Sequence, residues 1–194
     1  MSVPGRTASP ARGSFAVPLL LLLAAACSDE PAATAGEPSI FASGADQVML
    51  GVEHYLTRDG IRRGVLHADT AFTYEDASRI ELRNLEIEFF DEAGTERGLL
   101  SSERGTYLLE TGDMTVQGSV ELEGRLQAGG RSVLETDSLA YDAAANQLAT
   151  DGRWTLTRPD GTVERGRGLV TDPALQHVQR EEWSLTRPGL EVPE

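Results

Sequence analysis

Lysine is missing from the 194-residue sequence, so all 17 basic residues are arginine, and chemistry that needs an ε-amine, such as a Schiff base or a phosphate-loop lysine, is excluded. Cysteine occurs once, at Cys27, which rules out an intrachain disulfide, a CxxC redox pair and a multi-cysteine zinc site. Positive charge is scarce. Against 31 acidic residues it leaves a net charge of -14, the opposite of a surface that coats nucleic acid by counterion release. The three histidines, His54, His67 and His177, show no HxxxH, HxH or HExxH spacing, so neither a metal site nor a histidine general base is expected. What remains is a 40% hydrophobic fraction, enough for one ordinary domain with a modest core plus a tail or two.

The first 14 residues carry Arg6 and Arg12 and no acid, and they lead into an apolar block from Phe15 to Ala26 with five consecutive leucines. That block has 12 residues, whereas a membrane-crossing helix needs ~20, so the pattern is a secretory signal. It ends in Leu23-Ala24-Ala25-Ala26-Cys27, small residues and then the sole thiol, similar to a bacterial lipobox although Ala24 stands where leucine is usual. Cleavage before Cys27 and acylation of its sulfur are expected. Acyl chains contribute roughly 0.8 kcal/mol per buried CH₂, so two or three hold a protein on a membrane without a spanning helix. The sequence therefore divides into a signal peptide at 1–26, a flexible tether with lipidated Cys27 at 27–45, a folded domain at 46–187 and a tail at 188–194. The tether is rich in Pro, Ala, Gly and Ser and has a reach of roughly 20–25 Å. Loss of the leader leaves 15 basic against 31 acidic residues, a net of -16.

Beyond residue 46, turn signals recur about every 17 residues, from Asp59-Gly60 through Thr111-Gly112, Ala145-Asn146 and Asp172-Pro173 to Pro188-Gly189. Apolar and polar residues alternate between them. Met114, Val116, Val120 and Leu122 share one face around Gly118, and Leu148, Thr150, Trp154 and Leu156 share one around Gly152. Period two with short turns means half-buried antiparallel strands, and no window shows helical spacing. A 34-residue repeat runs through this pattern: Arg63, Arg97, Arg131 and Arg165; Asn84, Gly118 and Gly152; and, within one residue, Tyr74, Tyr107 and Tyr141. Each unit is two strands and two turns. Asn and Gly at the shared position both tolerate left-handed backbone, and the apolar phase slips there, from Ile80 and Leu82 to Leu85, Ile87 and Phe89. Strands of about 12 to 14 residues exceed the usual length, so they are expected to bend at these points and form two facing sheets. The open edges of such an array would accept another strand.

The stretches ADTAFTY at 68–74, GDMTVQGSVELEG at 112–124 and LETDSLAYDAAANQLATDG at 134–152 resemble the LptC family, the membrane-attached periplasmic component of lipopolysaccharide transport, with its LptA and OstA-like relatives. The likeness covers residues 46 to 186. It implies an all-β fold, an elongated, partly open antiparallel β-jellyroll of two facing sheets built from ~34-residue two-strand repeats. It also implies partners: lipopolysaccharide, inner-membrane ABC transporter subunits and an LptA-like periplasmic bridge protein joined by edge-strand pairing, with no nucleic acid and no cofactor. The best-known LptC forms keep a transmembrane helix, in whose place this chain has Cys27. The role implies the periplasmic face of the inner membrane, while Ser28 after the cysteine leaves the outer membrane as the alternative.

An acidic surface repels sugar phosphates, so the cargo would be held by its acyl chains. Phe72, Leu85, Ile87, Phe89, Met114, Val116, Val120, Leu122, Leu139, Leu148, Trp154 and Leu156 are expected to point between the sheets and line the lipid cleft. The competing reading is an envelope lipoprotein whose same residues form a closed core with no cargo. Glu86-Glu88 and Glu121-Glu123 alternate with apolar residues and belong to the solvated side of a strand, not to a catalytic pair. The periodic arginines are expected to pair with glutamates across strands. If any touches a lipid phosphate it would be one near the cleft mouth, Arg63 or Arg165. No enzyme is expected, and no metal.

Overall fold

A computed structural model describes residues 44–126 and 129–186, so the signal peptide, Cys27, nearly all of the tether and the tail lie outside the described residues. The described chain is all β apart from one 3₁₀ turn at Glu75–Ala77. Nine strands follow one another: β1 (Gln47–Arg58), β2 (Ile61–Tyr74), β3 (Arg79–Phe90), β4 (Glu96–Leu108), β5 (Met114–Arg125), β6 (Arg131–Asp142), β7 (Gln147–Thr157), β8 (Val163–Thr171) and β9 (Gln179–Thr186). Each pairs antiparallel with the next in a single sheet of order β1 to β9, so the meander read from the turn spacing is the topology found. The turns have the backbone their residues predict: Asp59 and Gly60 both have positive φ, the two-residue hairpin geometry, and Gly94, Gly112, Gly129, Gly130, Asn146 and Gly161 repeat the left-handed choice.

The strands are long because each is bent in the middle. A row of residues, exposed or half-exposed except for the buried Gly168, crosses the sheet there: Gly51, Asp69, Asn84, Glu103, Gly118 with Ser119, Asp137, Asp151 with Gly152, Gly168 and Glu181. Gly51, Asn84, Gly118, Ser119 and Gly168 have φ between 46° and 85°. The register jumps at this row on both sides of β5 and of β7, each of which carries one extra residue. In β3 the inward face moves from Leu82 to Leu85 across Asn84, the slip legible in the sequence. Gly152 departs from its repeat partners, since its φ is not positive; its N–H instead bonds to the Thr150 hydroxyl at 3.0 Å. Acidic side chains lie over the left-handed residues of the neighbouring strand: Asp69 accepts from Asn84 at 2.9 Å, and Glu103 accepts from Ser119 at 2.7 Å.

The bends fold the one sheet into two facing layers. Phe89, beyond the bend of β3, meets Tyr141, at the opposite end of β6, with ring centroids 5.2 Å apart. His54 of β1 meets Tyr107 of β4 edge to face at 5.6 Å. Neither pair is adjacent in the sheet, so both contacts cross between layers. Arg58, at the β1 hairpin, donates to the Ala143 carbonyl at 2.9 Å and to that of Ala144, pinning one layer's tip to the other's. One apolar cluster fills the space between, from Leu56 in β1 to Leu169 in β8.

Candidate functional site

Eleven of the twelve expected lining residues, Leu85, Ile87, Phe89, Met114, Val116, Val120, Leu122, Leu139, Leu148, Trp154 and Leu156, belong to that interlayer cluster. Phe72 does not. Its neighbour Ala71 is the buried, inward residue, so alternation puts Phe72 on the outer face, where the Arg83 guanidinium covers its ring at 5.6 Å. The cause is the bend at Asp69: β2 faces inward at Leu66 and Ala68 and then at Ala71, one residue out of phase. The same alternation, followed through each slip, adds Leu56, Leu82, Leu100, Leu134, Tyr141 and Leu169 to the lining.

Between the hairpin of β1 and β2 and the turns after β4 and β6 the layers part into a cleft of about 560 Å³. Its walls include Leu56, Arg58, Arg63, Glu92, Tyr107, Gly112, Tyr141 and Asn146, which place apolar and aromatic surface inside and charge at the rim. Tyr141 donates to Asn146 at 3.1 Å with its ring against Phe89, so the cleft leads directly onto the buried lining. Burial raises the pKa of both Tyr107 and Tyr141, and Arg58 and Arg63 oppose it only in part at Tyr141, so these phenols stay neutral donors. Arg63 is at this mouth, 3.1 Å from Glu92. Arg165 is not. Its inward neighbour is Glu164, and Arg165 faces the outer side, in a groove shared with Glu121, Glu135, Asp137 and Arg153. Of the periodic arginines, Arg97 pairs with Asp91 at 2.7 Å and Arg131 with Glu123 at 2.5 Å.

Toward β9 the interior carries residues that sequence reading did not single out. Glu164 is buried and inward, with Arg158 Nε at 3.2 Å and Arg180 Nε at 2.6 Å from its two carboxylate oxygens. These residues come from β8, the turn before it and β9, so the ion triad ties the last strands together where an apolar lining would otherwise continue. Past it, the β9 register opposite Glu164 and Gly166 puts Leu185 and Trp183 on the inner face, yet both are exposed. Of the glutamates expected on the solvated side, Glu86 and Glu121 lie exposed, while Glu88 and Glu123 are half-buried, Glu123 against Arg131. Among the described residues, no three of His, Cys, Asp and Glu gather as metal ligands would.

Over the described residues, a bent antiparallel sheet whose two layers enclose one apolar interior, with an aromatic-walled cleft beside it, defines the class of open all-β jellyroll folds. The sequence comparisons give that class a family. The profile described as "Lipopolysaccharide-assembly, LptC-related" matches residues 21–179, and the chain belongs to that family. No curated protein matches the sequence. Among solved structures, the chain is similar to LptH of Pseudomonas aeruginosa, described as the LptA homologous periplasmic component of the conserved lipopolysaccharide transport device, at 14% identity. That likeness covers 61% of this chain and 82% of the other, with a TM-score of 0.49.

Proposed function

We propose that the domain holds lipopolysaccharide by its acyl chains between the two layers, receives it from an inner-membrane ABC transporter and passes it to the next jellyroll protein of a periplasmic bridge. The observation that carries this reading is the cleft of about 560 Å³ that opens onto a continuous apolar lining. Its size falls within the roughly 300–1,000 Å³ usual for small-molecule sites. At roughly 0.8 kcal/mol per CH₂, a chain of a dozen methylenes gains about 10 kcal/mol on leaving water, so no charged grip is needed. The net charge of -16 after cleavage disfavours a headgroup grip in any case.

The handover follows from the sheet edges. β1 and β9 are the two outermost strands, and Trp183 and Leu185 of β9 extend the inner lining past the point where this chain covers it. A strand added beside β9 would bury them and prolong the cleft into the next molecule. The acylated Cys27 and the tether keep the domain at the periplasmic face of the membrane. The reading of a closed core draws on Leu122, Leu134, Leu148 and Leu156, whose side chains are fully buried in the interior. Extraction of the intact lipoprotein from membranes tests the two. Transporter subunits and a jellyroll partner should co-purify, and the Trp183→Asp, Leu185→Asp double variant should lose the jellyroll partner. A lipoprotein that brings down neither partner and no lipopolysaccharide would leave only the closed-core reading.

A further inference from the structure

The segment Asp172–Val178, between β8 and β9, does not run over the surface as the Asp172-Pro173 turn signal predicts. It turns inward: Pro173, Ala174 and Leu175 are buried, and Leu175 joins the apolar cluster from left-handed backbone, φ 55°, which a leucine rarely adopts. The segment lies along a track of small residues. Gly98, Gly124 and Ser132 are register neighbours on β4, β5 and β6. A Cβ on Gly98 would run into the Pro173 carbonyl, and one on Gly124 into that of Ala174. The Ser132 hydroxyl is buried with no partner. What secures the segment is polar and sits at its rim. Asp172 accepts from the N–H groups of Ala174, Gln176 and His177 at 2.9–3.0 Å, and Arg158 donates to the Leu175 carbonyl at 3.1 Å while paired with Glu164.

We propose that Asp172–Val178 is a removable plug, and that the trough beneath it, floored by Gly98, Gly124 and Ser132, takes a saturated hydrocarbon chain once Arg158 releases Leu175. Position gives the first reason. A small cavity lined by Phe89, Pro173 and Ala174, with Asp91, Arg97 and Asp172 also in its wall, shares Asn146 with the mouth, so a chain that enters there and passes Phe89 meets the plug next. Energetics gives the second: withdrawal relieves the left-handed strain at Leu175 and breaks no strand pairing, and the apolar space Leu175 vacates is refilled by the chain. The plug thereby fills the interior over Gly98 and Gly124. It sets how far a chain can advance before the loop gives way.

The proposal rests on the acyl-chain reading above, and hydrogen exchange on the full-length lipoprotein in detergent, with and without purified lipopolysaccharide, separates the two. Lipopolysaccharide should slow exchange in the strands around Tyr107 and Tyr141 and speed it at Ala174, Gln176 and His177 by about tenfold or more. Arg158→Met, which removes the latch, and Leu175→Ala, which empties the plug, should each speed exchange in the segment without lipid and bind lipopolysaccharide several-fold more tightly. Slowing at the mouth with unchanged exchange at 174–177 would overturn the plug and leave the lipid reading standing. Variants that fold and bind no more tightly would overturn it too. No change anywhere in the domain would end both.

Discussion

Replacing Phe89 and Tyr141 by alanine, singly and together, tests whether the sheet is folded as described. The two rings lie 5.2 Å apart, but their strands, β3 and β6, are three positions apart in the sheet. In a flat sheet with strands spaced about 4.8 Å, those positions would be separated by ~14 Å, beyond any contact. Phe89 is buried, and truncating a buried phenylalanine costs about 3–5 kcal/mol, a fall in Tm of roughly 10 °C for a domain of this size. The pair should further show a coupling of about 0.5–1.5 kcal/mol, the usual worth of an aromatic contact beyond its burial. Urea unfolding of the lipid-free mature chain measures all three variants against the parent. Losses that add to within about 0.3 kcal/mol would mean that the rings do not touch, and the two-layer account would fail.

Other consequences follow from single groups. Glu164→Leu leaves Arg158 and Arg180 facing each other without a counter-charge, and should destabilise by about 2–4 kcal/mol, less than for fully buried cations because both guanidinium groups reach solvent; a loss under about 0.5 kcal/mol in urea unfolding would show that the triad contributes nothing. The carboxyl of Asp91 is held below its usual range, first by the Thr95 N–H and then by Arg97. A lowered folded-state value means stability that is present at neutral pH and lost as pH falls through that value, so Asp91→Asn should flatten the acid limb of stability below about pH 4, and an unchanged limb would contradict it. Asn84→Val forces a β-branched residue into left-handed backbone and should cost about 1–3 kcal/mol, whereas Asn84→Gly should cost far less; equal losses in thermal melts would argue against the bend at this position.

Much of the fold was readable because it is written locally. Alternation gave the strands, signals such as Asp59-Gly60, Thr111-Gly112 and Ala145-Asn146 gave the turns, and the slip between Leu82 and Leu85 marked the bend in β3. The misreading of Phe72 comes from phase. Period two assigns a face only until the phase slips, and the slip at Asp69 has no glycine or asparagine to announce it, so Phe72 was expected inside and is found outside. Arg63 and Arg165 were both named as arginines near the cleft mouth; Arg63 is there and Arg165 is not, because the mouth is formed by tips that meet only when the sheet folds over. The Asp172-Pro173 signal correctly marks the end of β8, while the inward course of the next residues depends on Gly98 and Gly124, some 50 to 75 residues away. Contacts at that separation leave no periodic trace. The same holds for the Arg158–Glu164–Arg180 triad, whose members look like ordinary surface charges in the sequence.

The most direct test of acyl-chain carriage is photo-crosslinking in cells that make lipopolysaccharide, with a photoreactive residue placed in turn at Val120, inside the fold, and at Phe72, on its outer face. Acyl-chain carriage between the layers gives a lipopolysaccharide adduct at Val120 and none at Phe72. Adducts at both positions alike, or at Phe72 alone, would contradict it.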